Sequence, residues 1–178
     1  MAEKNRNKKK VPRKATPRHL ENAALHYLSR FATSAENLKR VLMRKVARSA
    51  YYHDTDAEEG GAVVEDLIRR FLDSSLLDDG VFAKARAASL HQRGNSGRQI
   101  RAKLQQKGVG NMDIDEALEA LGETKDVAEL EAARTYARRR RFGPFATKKL
   151  TPETQEKQLA AMARAGFSYG VAKQVLEI

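Results

Sequence analysis

The chain has 178 residues, of which 41% are hydrophobic, 32% charged and 6% aromatic, with a formal net charge of +11. That length supports one sizeable core or a row of two or three small units, and the composition suits surface-rich helices better than a β-sandwich. Cysteine is lacking, which excludes disulfides, cysteine-ligated zinc, iron–sulfur clusters and a thiol nucleophile. No apolar stretch approaches the ~18 residues of a membrane span, and no apolar run follows the basic N-terminus as it would in a secretory signal, so the cytoplasm is the expected location.

Residues 1–18 hold eight basic groups, among them Lys8, Lys9, Lys10, Arg13 and Lys14, against the single acid Glu3. Pro12 and Pro17 punctuate the stretch, which reads as a disordered basic arm suited to nonspecific contact with DNA. Apolar residues then recur at helical spacing. Leu20, Ala24, Tyr27, Leu28 and Phe31 form one stripe; Leu38, Val41, Leu42 and Val46, behind a Ser34 cap, form the next. Residues 47–61, ARSAYYHDTDAEEGG, are expected as a long acidic loop, and Val63, Val64, Leu67, Ile68, Phe71 and Leu72 form a third stripe. Helices over 79–92 and about 124–141 follow, and no segment shows sustained strand alternation. The expected class is all-α.

A repeat underlies this order. Ser34, Leu38 and Leu42 align with Ser96, Ile100 and Leu104, and Thr154, Gln158, Met162 and Gly166 echo Ser96, Ile100, Leu104 and Gly108. Each copy opens on a hydroxyl side chain that can cap a helix, and the second and third close on a glycine suited to a left-handed C-terminal cap. The expectation is three tandem three-helix units of helix-turn-helix type, at 19–75, 76–122 and 123–178. Such units, too small to bury their apolar faces alone, are expected to stack into an elongated, curved body.

A search for catalytic chemistry finds little. The four histidines, His19, His26, His53 and His91, show no i, i+4 metal pair. His53, Asp54, Asp56, Glu58 and Glu59 lack the spacing and central glycine of a calcium loop. Around Ser96 neither the spacing nor the strand of a nucleophile elbow is present, and no phosphate-binding loop occurs. No metal, cofactor or catalytic residue is expected. Charge is the stronger signal. Residues 84–107 carry seven basic groups and no acid, including Arg98, Arg101, Lys103 and Lys107. Residues 134–149 carry seven more and again no acid, including Arg138, Arg139, Arg140, Arg141, Lys148 and Lys149. The chain outside these blocks and the arm is net negative, so the basic groups are expected to meet a polyanion or an acidic protein surface. Solvation is the alternative reading. Phe142 and Phe145 lie among the second set of cations, where they serve either binding or the core.

One stretch is recognisable. Asp78-Asp79-Gly80-Val81-Phe82-Ala83, followed by Gly94-x₃-Arg98-x-Ile100-x₃-Leu104-x₂-Lys107-Gly108, resembles the signature of the RecX family, bacterial regulators of the RecA recombinase. Gly166-Phe167-Ser168-Tyr169 with Val171 and Val175 resembles the family's C-terminal motif, and Ala24-Leu25-x-Tyr27-Leu28-Ser29-Arg30 its first repeat. The resemblance spans about residues 20–178. It implies a protein that lies in the groove of the RecA–DNA filament and dampens recombinase, ATPase and co-protease activity in DNA repair and the SOS response. It also implies direct contact with single- or double-stranded DNA. The basic blocks are the candidate contact residues, and a monomer acting by binding is expected. A DNA-binding protein of helix-turn-helix type is the competing reading.

Overall fold

The computed structural model describes residues 11–178, which form nine α-helices and a short 3-10 turn, with no strand among them. Lys8, Lys9 and Lys10 of the expected arm lie outside the described residues. The chain divides into two compact units, the first ending at Leu77 and the second covering Asp78–Ile178.

The first unit contains α1 (Pro17–Leu28), α2 (Ala35–His53) and α3 (Ala57–Asp73). Pro17 opens α1 at the position where a missing backbone N–H costs nothing, and Thr16 Oγ1 accepts from the His19 N–H at 3.2 Å. Ser34 caps α2 by accepting from the Asn37 N–H, as its sequence position suggests. Leu20, Ala24, Leu38, Leu42, Val46, Val64, Leu67, Ile68 and Phe71 then meet in one core. Phe31, read as part of the first stripe, falls beyond the end of α1 and is exposed; its ring tilts against Tyr27.

Two expectations for this unit are corrected. There is no long loop over 47–61: α2 runs on to His53, Asp54 closes it in the left-handed region at φ 53°, and α3 begins at Ala57. The acids that suggest a loop are a helix start. Asp56 Oδ1 accepts from the N–H groups of Glu58 and Glu59 at 2.7 and 3.2 Å, and both glutamates sit where the α3 dipole favours negative charge. Nor is Gly60 a loop residue. A Cβ there would lie 2.6 Å from Val46 Cγ1, so its absence lets α3 approach α2. The second correction concerns the arm. Residues 11–16 lack regular structure but are tied to α2: the Ala15 N–H donates to Ser49 Oγ at 2.9 Å, and His53 Nε2 donates to the Pro12 carbonyl at 2.6 Å. Arg13 and Lys14 therefore belong to an anchored segment.

The second unit contains α4 (Asp79–Gln92), α5 (Gly97–Gln106), α6 (Asn111–Glu119), α7 (Lys125–Arg140), the 3-10 turn Gly143–Phe145, α8 (Pro152–Arg164) and α9 (Tyr169–Leu176). It holds two apolar clusters. One gathers Ala83, Ala87, Leu90, Ile100, Leu104, Val109, Ile114 and Ala117 from α4, α5 and α6. The other gathers Ala132, Ala133, Ala137, Met162, Phe167, Val175 and Leu176 from α7, α8 and α9. Gly108 and Gly166 take left-handed φ of 76° and 89° at the ends of α5 and α8, the conformation a glycine cap requires. The third hydroxyl cap is corrected by three residues. Thr151 caps α8, and Thr154 sits at its third position, completing a reciprocal capping box.

The α4–α5 turn holds the two clusters together. Ser96 Oγ accepts from the Gln99 N–H to cap α5 and donates to the Ala165 carbonyl at 2.6 Å. Glu129 on α7 accepts the Gly97 N–H at 3.0 Å, and His91 Nε2 donates to the Ala128 carbonyl at 2.7 Å. Ser96 is thus both a cap and a tertiary tie.

Candidate binding surface

The two acid-free blocks of sequence fare differently in space. In residues 84–107 the cations meet acids supplied by α6. Lys84 pairs with Glu116 at 3.1 Å and Arg101 pairs with Asp115. Lys103 Nζ donates to Asn95 Oδ1 beside the α4–α5 turn, and Lys107 is half-buried at the end of α5. Arg98 stays exposed at the start of α5, its Cβ facing the Gly166 turn. Arg98, Arg101 and Lys103 therefore do not act as one uncompensated cationic face, because Asp115 compensates Arg101 and Asn95 engages Lys103.

Residues 134–149 keep their charge. Arg138, Arg139 and Arg140 occupy the last turn of α7, Arg141 closes it, and none of the four has a carboxylate partner among the described residues. Lys148 and Lys149 are exposed in the segment before α8 and are likewise without a carboxylate. Aromatic rings organise the arginines. The Arg138 guanidinium lies 5.3 Å from the Phe145 ring, and that of Arg140 lies 5.8 Å from Phe142 and 6.0 Å from Tyr136. Arg139 stands over Tyr136 at 5.7 Å and donates to the Arg93 carbonyl at 2.9 Å. Phe142 and Phe145 are half-buried and pack on the α7–α9 core, which meets the core reading of these rings. Their inner edges fill the core and their outer faces hold guanidinium groups, an arrangement that orients cations without neutralising them.

Arg141 is held against its own preference. It adopts φ 58° and ψ 49°, while the Phe142 N–H reaches the Ala137 carbonyl at 2.9 Å. Glycine takes the corresponding left-handed place after α4, α5 and α8, at Gly94, Gly108 and Gly166. A side chain in that region costs about 1–2 kcal/mol, of which glycine's greater freedom in the unfolded chain returns roughly 0.5–1. Arg141→Gly should therefore stabilise the second unit by about 0.5–1 kcal/mol and raise the melting temperature by roughly 1–4 °C. It should at the same time weaken binding to a labelled oligonucleotide several-fold. Calorimetry and fluorescence anisotropy on the same preparation check both halves; unchanged affinity would reduce Arg141 to a helix terminator.

Block reading of the sequence passes over α2. From Asn37 to His53 it carries Lys39, Arg40, Arg44, Lys45 and Arg48 and no acid. The signal was available as an acid-free helix, but its charge density is diluted by the alternating apolar positions. Among the described residues no group of three or more His, Asp or Glu side chains is placed to hold a metal ion, and no helix is long and apolar enough to cross a membrane.

Fold and surface together define an all-helical protein built of three-helix segments, with an uncompensated arginine cluster at the end of one helix. The sequence model for the second three-helix domain of RecX matches residues 78–118. A regulatory protein RecX of Myxococcus xanthus is 45% identical over 169 residues, covering 94% of this chain and 89% of its own. Another from Agrobacterium fabrum is 31% identical over 155 residues, covering 87% and 80%. The crystal structure of RecX from Lactobacillus salivarius shares the fold, with a TM-score of 0.66 at 19% identity over 90% of this chain and 94% of that one. The chain belongs to the RecX family of regulatory proteins.

Proposed function

We propose that this protein regulates the RecA recombinase by binding the RecA–DNA filament and lowering its recombinase, ATPase and co-protease activity. It acts in the cytoplasm as a monomer, in DNA repair, homologous recombination and the SOS response, and it works by contact rather than catalysis. The three-helix segments 19–75, 76–122 and 123–178 serve as successive contact modules. The observation that carries the reading is the cluster Arg138–Arg141 with Phe142 and Phe145, which keeps its positive charge in a family named for regulation. Guanidinium groups ordered by aromatic rings suit phosphate oxygens and acidic protein surfaces alike.

A second reading, direct binding to DNA in the manner of a helix-turn-helix protein, is supported by the same arginines and by the three-helix segments. The two separate in one assay. Added at well below one copy per RecA subunit, the protein should lower RecA's DNA-dependent ATPase, an effect that simple competition for DNA produces only at saturating ratios. Full ATPase activity at an equimolar ratio would reject the regulator reading, and tight, steeply salt-dependent binding to naked duplex would favour the second.

A further inference from the structure

The first unit carries a cationic cleft that the surface described above does not include. Two of the five basic residues on α2 are compensated, Lys39 by Glu65 and Arg40 by Glu36. Arg44, Lys45 and Arg48 have no carboxylate partner among the described residues. Helical spacing sets Arg44 and Tyr51 opposite the buried stripe Leu38, Leu42, Val46 and Ser49, with Lys45, Tyr52 and Arg48 on the flank between. Residues 11–16, anchored through Pro12 and Ala15, close the space beside this face. The result is a cleft of about 260 Å³ lined by Val11, Pro12, Arg13, His19, Lys45 and Arg48: four basic side chains and no acid. Glu21, Glu59 and Asp66 line a different groove with Arg18 and Arg70.

Two further features point to what enters the cleft. Burial first, then the charges of Lys45 and Arg13, push the His19 imidazole below its usual 6.5. Cations thus converge on a half-buried group with nothing negative between them, an arrangement that a bound anion relieves. One turn along the helix from Arg48, Tyr51 is 83% exposed, and its ring is braced edge-on by Tyr52 at 4.9 Å. A ring so exposed adds nothing to the core. An anion site with an open aromatic platform one turn away matches the alternation of phosphate and base along a strand.

We propose that this cleft binds single-stranded nucleic acid, with Arg13, His19, Lys45 and Arg48 surrounding one phosphodiester and Tyr51 stacking on a neighbouring base. The site stands apart from the RecA reading and needs no filament. Its pH dependence has a definite sign. In the free protein the lowered pKa keeps His19 mostly neutral at pH 7; a phosphodiester offsets part of the surrounding positive charge and raises that pKa, so binding takes up a proton and tightens as pH falls. The phosphodiester does not titrate in this range.

The test uses the full chain and a fluorescently labelled twelve-nucleotide oligothymidylate. Affinity should be higher at pH 6 than at pH 8 by up to about tenfold, the ceiling set by a one-unit rise in pKa. The His19→Gln variant should lose that dependence while remaining folded. K45Q/R48Q should bind about tenfold more weakly with a salt slope shallower by roughly one to two, and Tyr51→Ala should weaken binding about fivefold or more by removing the base stack. Nuclear magnetic resonance supplies a readout that needs no variant: the His19 titration should move to higher pH when the oligonucleotide is added. An unmoved His19 titration, or wild-type affinity in K45Q/R48Q, would overturn the proposal. So would polyglutamate of equal charge competing as well as the oligonucleotide, because that outcome assigns the cleft to an acidic peptide.

Discussion

Replacing Arg139, Arg140 and Arg141 with glutamine should weaken DNA or filament binding by one to two orders of magnitude at physiological salt, with little change in stability. The argument is electrostatic. These side chains face no carboxylate among the described residues, so their charge is available to a ligand. Every arginine that no longer meets a phosphate leaves one counterion condensed on the strand, so the triple replacement flattens the log–log salt slope by up to about 2.7. Stability is expected to hold because exposed groups of this kind contribute within about ±0.5 kcal/mol each. Arg139 is the one to watch, since its Nη1 donates to the Arg93 carbonyl and glutamine is shorter. A net loss of about 0.5–1.5 kcal/mol there would still leave the unit folded. RecA ATPase inhibition should fall in step with affinity. If the variant inhibits RecA like the wild type at physiological salt, the cluster is a solvated helix end and the binding surface lies elsewhere. The corresponding change in the arm, at Lys8, Lys9 and Lys10, should lower nonspecific DNA affinity and spare regulation.

The fold class was legible because its determinants are local. Apolar spacing near 3.6 with Ser34 and Ser96 ahead of it, and Gly108 and Gly166 behind, describes helices whatever the chain packs against. The misread loop shows where locality fails. Asp54, Asp56, Glu58, Glu59, Gly60 and Gly61 have loop composition, but the first two end one helix and cap the next, the glutamates suit the α3 dipole, and Gly60 makes room for Val46. Only the packing of α3 on α2 distinguishes these roles. The same limit governs the site. Charge segregated along the sequence is not segregated in space: Arg101 finds Asp115 and Lys84 finds Glu116, from blocks of opposite sign. The α7 arginines escape compensation because the chain around them offers alanine, phenylalanine and lysine. The cleft beside α2 was invisible for the converse reason, since Arg13, His19, Lys45 and Arg48 are gathered by the anchoring of Ala15 and Pro12, which no spacing announces.

Gly94→Ala should be among the most damaging single substitutions in the second unit, although it adds one methyl group. Gly94 ends the α4 turn at φ 75°, where a side chain costs about 1–2 kcal/mol by itself. The surroundings add more. A Cβ would stand 2.7 Å from the Tyr136 nitrogen and 3.1 Å from the Ala132 carbonyl oxygen, both of them α7 backbone that no rotamer change can move aside. Relief requires α7 to shift away from the α4–α5 turn. That shift strains the Gly97–Glu129 and Arg139–Arg93 hydrogen bonds, which cross the same interface. Together these effects amount to about 3–5 kcal/mol, a large share of the 5–15 typical of a native protein. At roughly 2–4 °C per kcal/mol for a chain of this size, the melting temperature of the second unit should fall by about 6–20 °C. Gly170→Ala provides the contrast. Gly170 lies inside α9 with no atom within 4 Å of its would-be Cβ, so alanine there should stabilise the protein by up to about 1 kcal/mol. Thermal unfolding of the two variants side by side tests the claim. If Gly94→Ala melts with the wild type, the α4–α5 turn is not seated against α7, and Arg139 loses the anchor that fixes the basic cluster.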